Sequence, residues 1–463
     1  MDNSGFVVGI ELGTSKIVGI LGRKNEQGVI TILASETVPS DSAIKYGVIY
    51  NIDEAAGKIK KLISLLENKT GKKIGRTYVS VAGRSLNVTE HIETKTFGKK
   101  ELITIDLLDK LEQQAKQYKP EFHTNYGVSS PRYFLDGEPT ENPIGKEAYE
   151  VEVRYMLVIG RPGIKNSLLK AISEKCRIEI AGYATGPISS GALLLDEPER
   201  MAGCALVDFG AGTTSITIYK DGLLRFISVI PFGGRTITKD IQGLGLVYDV
   251  AENCKVRYGK LGRDKTKQNI SSAGTDIDLK ELNKVIQLRT DEIIMNVLHQ
   301  IKESGYGDQL DAGIVLTGGA SQLSGLTEYL EEKLQMPVKK SAAKRIYINN
   351  AADLIQNPAY SQVVGMLLSV NGNCEKAEQQ EVDAVGGTGD YEESEEELKV
   401  RKKEEKKRKK EEERKRREEE KKNGGQQKTI WGFFEKIQNF GGTIFDEESD
   451  EEEDDDNENK KEE

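Results

Sequence analysis

One pattern constrains this chain more than any other, and it occurs twice. An apolar run reaches an acid, breaks at glycine, offers hydroxyls, and resumes as a second apolar run. Residues 205–219 read ALVDFGAGTTSITIY: Asp208 ends the first run, Gly210, Ala211 and Gly212 form the break, and Thr213, Thr214 and Ser215 follow. Residues 7–20 read VVGIELGTSKIVGI, with Glu11 and then Gly13, Thr14, Ser15 and Lys16. The apolar runs, and the period-2 alternation at Ile216 and Ile218, read as strands, so each copy is a hairpin with a tight turn. Glycine lets the backbone approach a ligand closely. Successive N–H groups in such a turn form an anion-binding nest, and the hydroxyls add donors. A carboxylate at the strand end can hold Mg²⁺ through water. One such turn is equally well an ordinary hairpin. Two of them, about two hundred residues apart, predict a duplicated domain with a phosphate clamped between the halves.

With 463 residues the chain has room for two or more domains. It is 37% hydrophobic and 31% charged, so part of it is expected outside any core. No apolar run reaches about 18 residues, so no transmembrane helix is expected. The opening MDNSGFVVGIELG has no basic segment before its apolar one, so no secretory signal is expected either. Cys176, Cys204, Cys254 and Cys374 show no CxxC spacing, and the histidines number only 3. Such cysteines read as reduced core residues rather than disulfides or metal ligands, in a cytosolic chain. The net charge of −10 is an average over blocks. Residues 446–463 carry 13 acids against 2 lysines, leaving the rest near neutral.

In chain order, strands are expected at 29–35 and 76–82, on either side of a helix at 52–69 whose Ile52, Ala55, Ile59, Leu62, Ile63 and Leu66 form one stripe. Between 84 and 162 the texture changes to a small α+β insertion. It has strands at 88–97, 132–136, 148–153 and 154–160, and a helix at 107–118 that Asp106 caps. A helix follows at 164–175, then a strand at 178–185 and a helix at 187–195 rich in small residues. After the central hairpin come a strand at 223–230 and the sequence PFGGRTIT, where Thr238 is expected to cap the next helix. Residues 249–258 read as helix and set Glu252 and Lys255 three apart on one face, the spacing of a surface ion pair. A long helix follows an acidic strand-like piece within 277–302. Residues 311–324, DAGIVLTGGASQLS, read as a strand, the break Gly318-Gly319-Ala320, and a helix at 325–334. Such a junction presents a helix N-terminus to an anion or nucleoside. A last helix falls within 351–370.

Three glycine turns in this order resemble the phosphate 1, phosphate 2 and adenosine motifs of the actin/Hsp70/sugar-kinase superfamily. The finer pattern in GIELGTSKIVGI, VDFGAGTTSITIYKDG, VIPFGGRTITKDI with AENCKVRYG, and VLTGGASQLSGL resembles the FtsA family of bacterial cell-division proteins, over about residues 6–371. The resemblance implies an α/β, actin-like ATPase fold of two duplicated lobes with ATP and Mg²⁺ between them. It implies subdomain 1A from 1–83, 164–202 and 351–371, an inserted subdomain 1C of SHS2 type from 84–163, 2A from 203–236 and 306–350, and 2B from 237–305. Carried over by motif, Gly13, Thr14, Ser15 and Lys16, with Gly210, Ala211, Gly212, Thr213 and Thr214, would cradle phosphates. Glu252 and Lys255 would lie near the adenosine, which replaces the ion-pair reading, and Gly318, Gly319 and Ala320 would contact base and ribose. Asp208 and Glu11 would hold Mg²⁺ through water. The family carries Asp where this chain has Glu11. The extra methylene moves the carboxylate by about one C–C bond, and hydrolysis needs tightly held geometry. Tight nucleotide binding with slow turnover is therefore expected, Glu11 being the one candidate catalytic group. A sugar-kinase-like or pilus-assembly-type ATPase of the same fold is the alternative.

Residues 372–427 read as a linker holding a charged helix. Glu404–Arg408, Glu405–Lys409, Glu411–Lys415, Glu412–Arg416 and Glu413–Arg417 set acids four before bases, the orientation that supports an isolated helix. Within 399–422 stand 15 bases and 8 acids, which suits a solvated spacer or a position near anionic headgroups. Residues 428–445, KTIWGFFEKIQNFGGTIF, place Ile430, Trp431, Phe433, Phe434, Ile437 and Phe440 at helical spacing. An aromatic amphipathic helix after a polar tether lies in a membrane interface or docks on a partner, and the family resemblance implies membrane targeting. The acidic tail 446–463 repels anionic lipid, so polymerised chains bearing many anchors are expected to bind far better than single ones. The resulting expectation is a peripheral protein on the cytoplasmic side of the inner membrane at mid-cell. Its partners would be FtsZ, other divisome proteins and its own copies in filaments, with no nucleic acid.

Overall fold

The computed structural model describes residues 5–376 apart from 263–268, 273–274, 342 and 344–346. The expected charged helix, amphipathic helix and acidic tail lie outside the described residues.

The alternating apolar pattern at the start folds as three consecutive antiparallel strands, β1 (Val7–Leu12), β2 (Lys16–Lys24) and β3 (Ile30–Pro39). A two-stranded ribbon, β4 (Ile44–Lys45) and β5 (Val48–Ile49), leads to α1 (Ile52–Thr70). The Asn51 side chain caps α1 by accepting from the Glu54 N–H at 3.1 Å. The expected stripe from Ala55 to Leu66 is buried. β6 (Arg76–Val81) then returns parallel to β1.

The insertion follows. β7 (Asn87–Leu102), α2 (Ile105–Gln117), β8 (Thr124–Leu135), β9 (Glu138–Thr140) and β10 (Glu147–Gly160) make a separate antiparallel sheet in the order β7-β10-β8-β9. It has its own core, with Ile103, Leu111, Val151, Val153, Tyr155 and Leu157 among its members. The two strands expected at 148–153 and 154–160 are one, because the alternation through Val151, Val153, Tyr155 and Leu157 never breaks. The α2 cap is Thr104, whose hydroxyl accepts from the Leu107 N–H at 3.3 Å, and Asp106 stands inside the first turn.

The chain re-enters the first sheet through α3 (Pro162–Leu168), which continues as a π-helical stretch over Leu169–Lys175, and β11 (Glu179–Thr185), parallel to β6. After α4 (Gly186–Leu194) and α5 (Glu197–Ala202), the hairpin pattern repeats as β12 (Cys204–Phe209), β13 (Thr214–Lys220) and β14 (Leu223–Ile230). α6 (Gly234–Gln242), α7 (Tyr248–Tyr258), the ribbon β15 (Asn269–Ser272) and β16 (Thr275–Asp278), and α8 (Leu279–Glu303) intervene before β17 (Ile314–Thr317) pairs parallel with β12. α9 (Leu326–Leu334) and β18 (Val338–Lys340) complete the second sheet. Residues 348–349, expected in the second lobe, form β19 (Ile348–Asn349) beside β3 in the first sheet, followed by α10 (Ala352–Gln356) and α11 (Ser361–Ser369).

The sheets run β11-β6-β1-β2-β3-β19 and β14-β13-β12-β17-β18. In each, a three-strand antiparallel meander sits beside two parallel strands, with the Gly-containing hairpin at the same place. This is the duplication the two sequence motifs predicted; one apolar core takes in the first sheet together with Leu206, Tyr219, Leu224 and Val315 from one face of the second, and another packs on the second sheet's other face through Ala205, Val207, Ile216 and Leu316. α4 and α11 pack between the two sheets at close range: a Cβ on Gly365 would lie 2.0 Å from the Ser189 carbonyl oxygen.

The body does not end at residue 371. Cys374 is buried; its N–H donates to the Phe6 carbonyl at 2.7 Å, and its own carbonyl accepts from Gly75 and Arg76. Lys376 donates to Lys73 at 2.9 Å. The expected linker therefore loses its first residues to the folded body. Among the described residues no helix is long and apolar enough to cross a membrane.

Candidate functional site

The two Gly turns meet. A Cβ on Gly212 would stand 2.5 Å from the Thr14 methyl carbon, so the β12–β13 turn and the β1–β2 turn touch across the two sheets. Beside this contact opens a cavity of about 740 Å³. That is the size class of a small-molecule or cofactor site. Its wall includes Gly13, Thr14, Ser15 and Lys16 from one turn and Gly210, Ala211, Gly212 and Thr213 from the other. Glu252, Lys255, Gly318, Gly319 and Ala320 line it too, as do Glu11 and Asp208.

Local bonds hold each turn. Ser40 donates its hydroxyl to the Gly13 carbonyl at 2.6 Å, and the Gly47 N–H donates to the Thr14 hydroxyl at 3.3 Å. The Gly210 N–H donates to the Thr213 carbonyl at 3.0 Å. Thr214 is set back from the wall: it is buried, and its hydroxyl donates to the Phe232 carbonyl at 2.9 Å. Its expected role beside a phosphate is corrected to one of fastening β13 to the loop before α6. Gly318 has φ +86, and a Cβ there would fall 2.3 Å from an Asp208 carboxylate oxygen. Glycine at this break is thus required by both backbone conformation and the neighbouring acid.

Glu252 and Lys255 are more than a surface pair. Lys255 Nζ donates to Glu252 at 2.7 Å, to the Thr238 hydroxyl at 2.7 Å and to the Gly234 carbonyl at 2.9 Å. Thr238 in turn donates to Glu252. Thr238 is not a cap: it lies inside α6, which begins after Gly233. Burial lowers the Lys255 pKa, and Glu252 works against that shift.

The carboxylates form the second feature. Burial, reinforced by the nearby Asp208 charge, raises the Glu11 pKa from 4.5 to about 7. Burial raises Asp208 from 3.8 to about 6, partly offset by Gln362, which donates to it at 2.9 Å. One Glu11 oxygen, Oε2, is buried with no hydrogen-bond partner. An orphaned carboxylate oxygen beside a second carboxylate is a donor set that fits a hard, partly hydrated cation. Among the described residues there is no cluster of three or more such ligands, so water would supply most of the shell.

Sequence reasoning missed several wall residues. Gln362, Ser361, Pro358 and Ala359 come from the start of α11 and the turn before it. Thr317 and Ser361 bond through their hydroxyls at 2.8 Å, and the Gly318 N–H donates to the Pro358 carbonyl at 3.2 Å, joining the second sheet to α11. No local spacing marks them, because they reach the site by tertiary packing. Arg235 and Tyr248 also line the wall. Arg235 carried a signal: it follows the Gly233-Gly234 break directly.

The family model for cell division protein FtsA matches residues 205–365. The cell division protein FtsA of Buchnera aphidicola subsp. Schizaphis graminum is 30% identical over 384 residues, which is 79% of this chain and 90% of the relative. That of Porphyromonas gingivalis is 29% identical over 377 residues, 79% of this chain and 78% of its own. Among solved structures, the PilM-PilN type IV pilus biogenesis complex has a chain similar at TM-score 0.53 and 15% identity, covering 78% of this chain and 98% of that one. At that identity the likeness carries the fold alone. With the duplicated sheets and paired turns, these findings show that the chain has an actin-like ATPase fold and belongs to the FtsA family of cell-division proteins.

Proposed function

We propose that this chain is a nucleotide-binding structural protein of cell division. In this reading it binds ATP with Mg²⁺ in the inter-sheet cavity, self-associates, and tethers the FtsZ ring to the cytoplasmic membrane. The observation that carries the nucleotide reading is the contact of Thr14 with Gly212, which brings two N–H-rich turns onto one cavity.

In this reading Gly13 to Lys16 and Gly210 to Thr213 cradle the phosphates through hydroxyls, the Lys16 ammonium and the turn N–H groups other than that of Gly210, which bonds the Thr213 carbonyl. The nucleoside lies against Gly318, Gly319, Ala320 and the Glu252–Lys255 pair. Glu11 and Asp208 hold the hydrated cation, which when bound screens phosphate charge. Turnover is slow, because Glu11 carries its carboxylate one methylene farther from the backbone than an aspartate would, and hydrolysis needs tightly held geometry. The folded body divides into 1A, 1C, 2A and 2B near the boundaries given above, with residues 372–376 added to 1A and 348–350 moved there from 2A. Residues 428–445, with Trp431 and Phe434 as anchors, supply the membrane contact, and the divisome partners gather on the peripheral polymer.

Calorimetry of ATP binding to the purified chain tests the site. Co-sedimentation with FtsZ polymers on liposomes, with and without ATP and with and without residues 428–463, tests the tether. The proposal expects recovery in the lipid pellet only when that segment is present. Equal recovery without it, or with Trp431→Ala/Phe434→Ala, overturns the anchor.

A further inference from the structure

Seven charged side chains line the cavity: the acids Glu11, Asp41, Asp208 and Glu252 and the bases Lys16, Arg235 and Lys255. A nucleotide would bring several negative charges to a wall that already carries more acids than bases. The bases that are not otherwise engaged therefore decide where its phosphates can rest. Lys255 is held by Glu252, Thr238 and the Gly234 carbonyl. Lys16 lies over the Tyr360 ring, 3.5 Å from its centroid, and its charge acts on Glu11.

Arg235 stands differently. Among the described residues, no carboxylate lies within salt-bridge reach of its guanidinium. Its Nε donates to the Tyr248 hydroxyl at 3.4 Å, and the Tyr248 ring centroid is 5.9 Å from its central carbon. Its two Nη groups make no hydrogen bond among the described residues.

The backbone around it is tied to the second Gly turn. The Arg235 N–H donates to the Ala211 carbonyl at 2.8 Å, and the Gly234 N–H donates to the Gly210 carbonyl at 2.9 Å. Gly233 permits this approach, since a Cβ there would lie 2.6 Å from both carbonyl oxygens. A guanidinium with free Nη donors is a rigid fork shaped for the paired oxygens of a phosphate. Here it is fixed beside the second Gly turn, which lines the same cavity.

We propose that Arg235, oriented by the Tyr248 hydroxyl, is a ligand of the nucleotide's phosphate chain, clamping it from the second sheet as Lys16 does from the first. This rests on the nucleotide reading of the cavity and adds a group that discriminates by phosphate number. An arginine serving only to pack α6 against α7 would weaken every adenine nucleotide equally. A phosphate ligand weakens only those whose chain reaches it.

The test is calorimetric affinity of the full-length chain for AMP, ADP and ATP, at low and moderate salt, for wild type, Arg235→Gln and Tyr248→Phe. Arg235→Gln is expected to lose about tenfold or more for ATP, the scale of one charge-assisted bidentate contact. AMP should change little, and the salt dependence of ATP binding should shrink. Tyr248→Phe is expected to lose less, in the same order of nucleotides. Unchanged AMP affinity is itself the control for folding. Equal losses for AMP and ATP, or no loss for any, overturn the assignment of Arg235. Wild-type protein that binds none of the three overturns the nucleotide reading beneath it.

Discussion

Glu11 and Asp208 show how burial sets a site's electrostatics. Both carboxyls are raised, to about 7 and about 6, chiefly because burial disfavours their charged forms. Raised acids favour folding most at low pH, below their unfolded values of 4.5 and 3.8, and that contribution is lost as pH rises through about 6 and about 7. In cation-free and nucleotide-free protein, Glu11→Gln should therefore gain stability relative to wild type as pH rises from about 4 to about 8. The gain should be about 2–3 kcal/mol, read from urea unfolding across that range. A difference that stays flat with pH would refute the burial of Glu11. The Lys255 cluster gives a second expectation. Lys255→Met removes three hydrogen bonds and leaves a half-exposed Glu252 unmatched, costing about 2 kcal/mol. Adding Glu252→Gln should return part of that loss, a coupling that a double-mutant cycle measures directly.

At the level of elements, the molecule turns on two helices that carry no charge pattern. α4 and α11 approach so closely that Gly365 has no room for a side chain. Gly365→Ala must push the helices apart and should cost about 3 kcal/mol, the scale of overpacking in a tight interface. Gly57, inside α1, is the opposite case: a Cβ there meets nothing within 4 Å. Gly57→Ala should stabilise by about 0.5–1 kcal/mol, through helix propensity alone. Thermal melts of the two variants moving in opposite directions would check the packing of α11. That packing matters to the site because Gln362 and Ser361, at the start of α11, touch Asp208 and Thr317 of the second sheet.

At the scale of the whole molecule, the root of the tail belongs to the body. Cys374 is buried, Lys376 pairs with Lys73, and Tyr78 donates its hydroxyl to the Asn371 carbonyl. Lys24 donates to the Leu368 carbonyl at 2.6 Å and to Asn371 at 2.9 Å, fastening the end of α11. A chain ended after residue 376 should keep the melting temperature of the body. One ended after residue 370 should lose about 3 kcal/mol or more, since it removes the buried Cys374 side chain and strands the backbone partners at Phe6, Gly75 and Arg76. If both truncations melt alike, residues 371–376 are not part of the folded unit.

Much of this was legible in the chain itself. Period-2 and helical spacing located the hairpins, α1 and α8, because those signals are local. The repeat of acid, glycine and hydroxyl at Glu11 and Asp208 announced a duplicated fold, because each half must build the same turn. The unbroken alternation from Val151 to Leu157 already recorded that β10 is one strand, whereas tertiary structure alone decided that Thr214 faces its own loop. Tertiary structure also decided that Cys374 closes the body and that Gln362 and Tyr248 reach the cavity. Those outcomes depend on which surfaces pack together across long stretches of chain, and no periodicity in the sequence records a contact between residues 208 and 362.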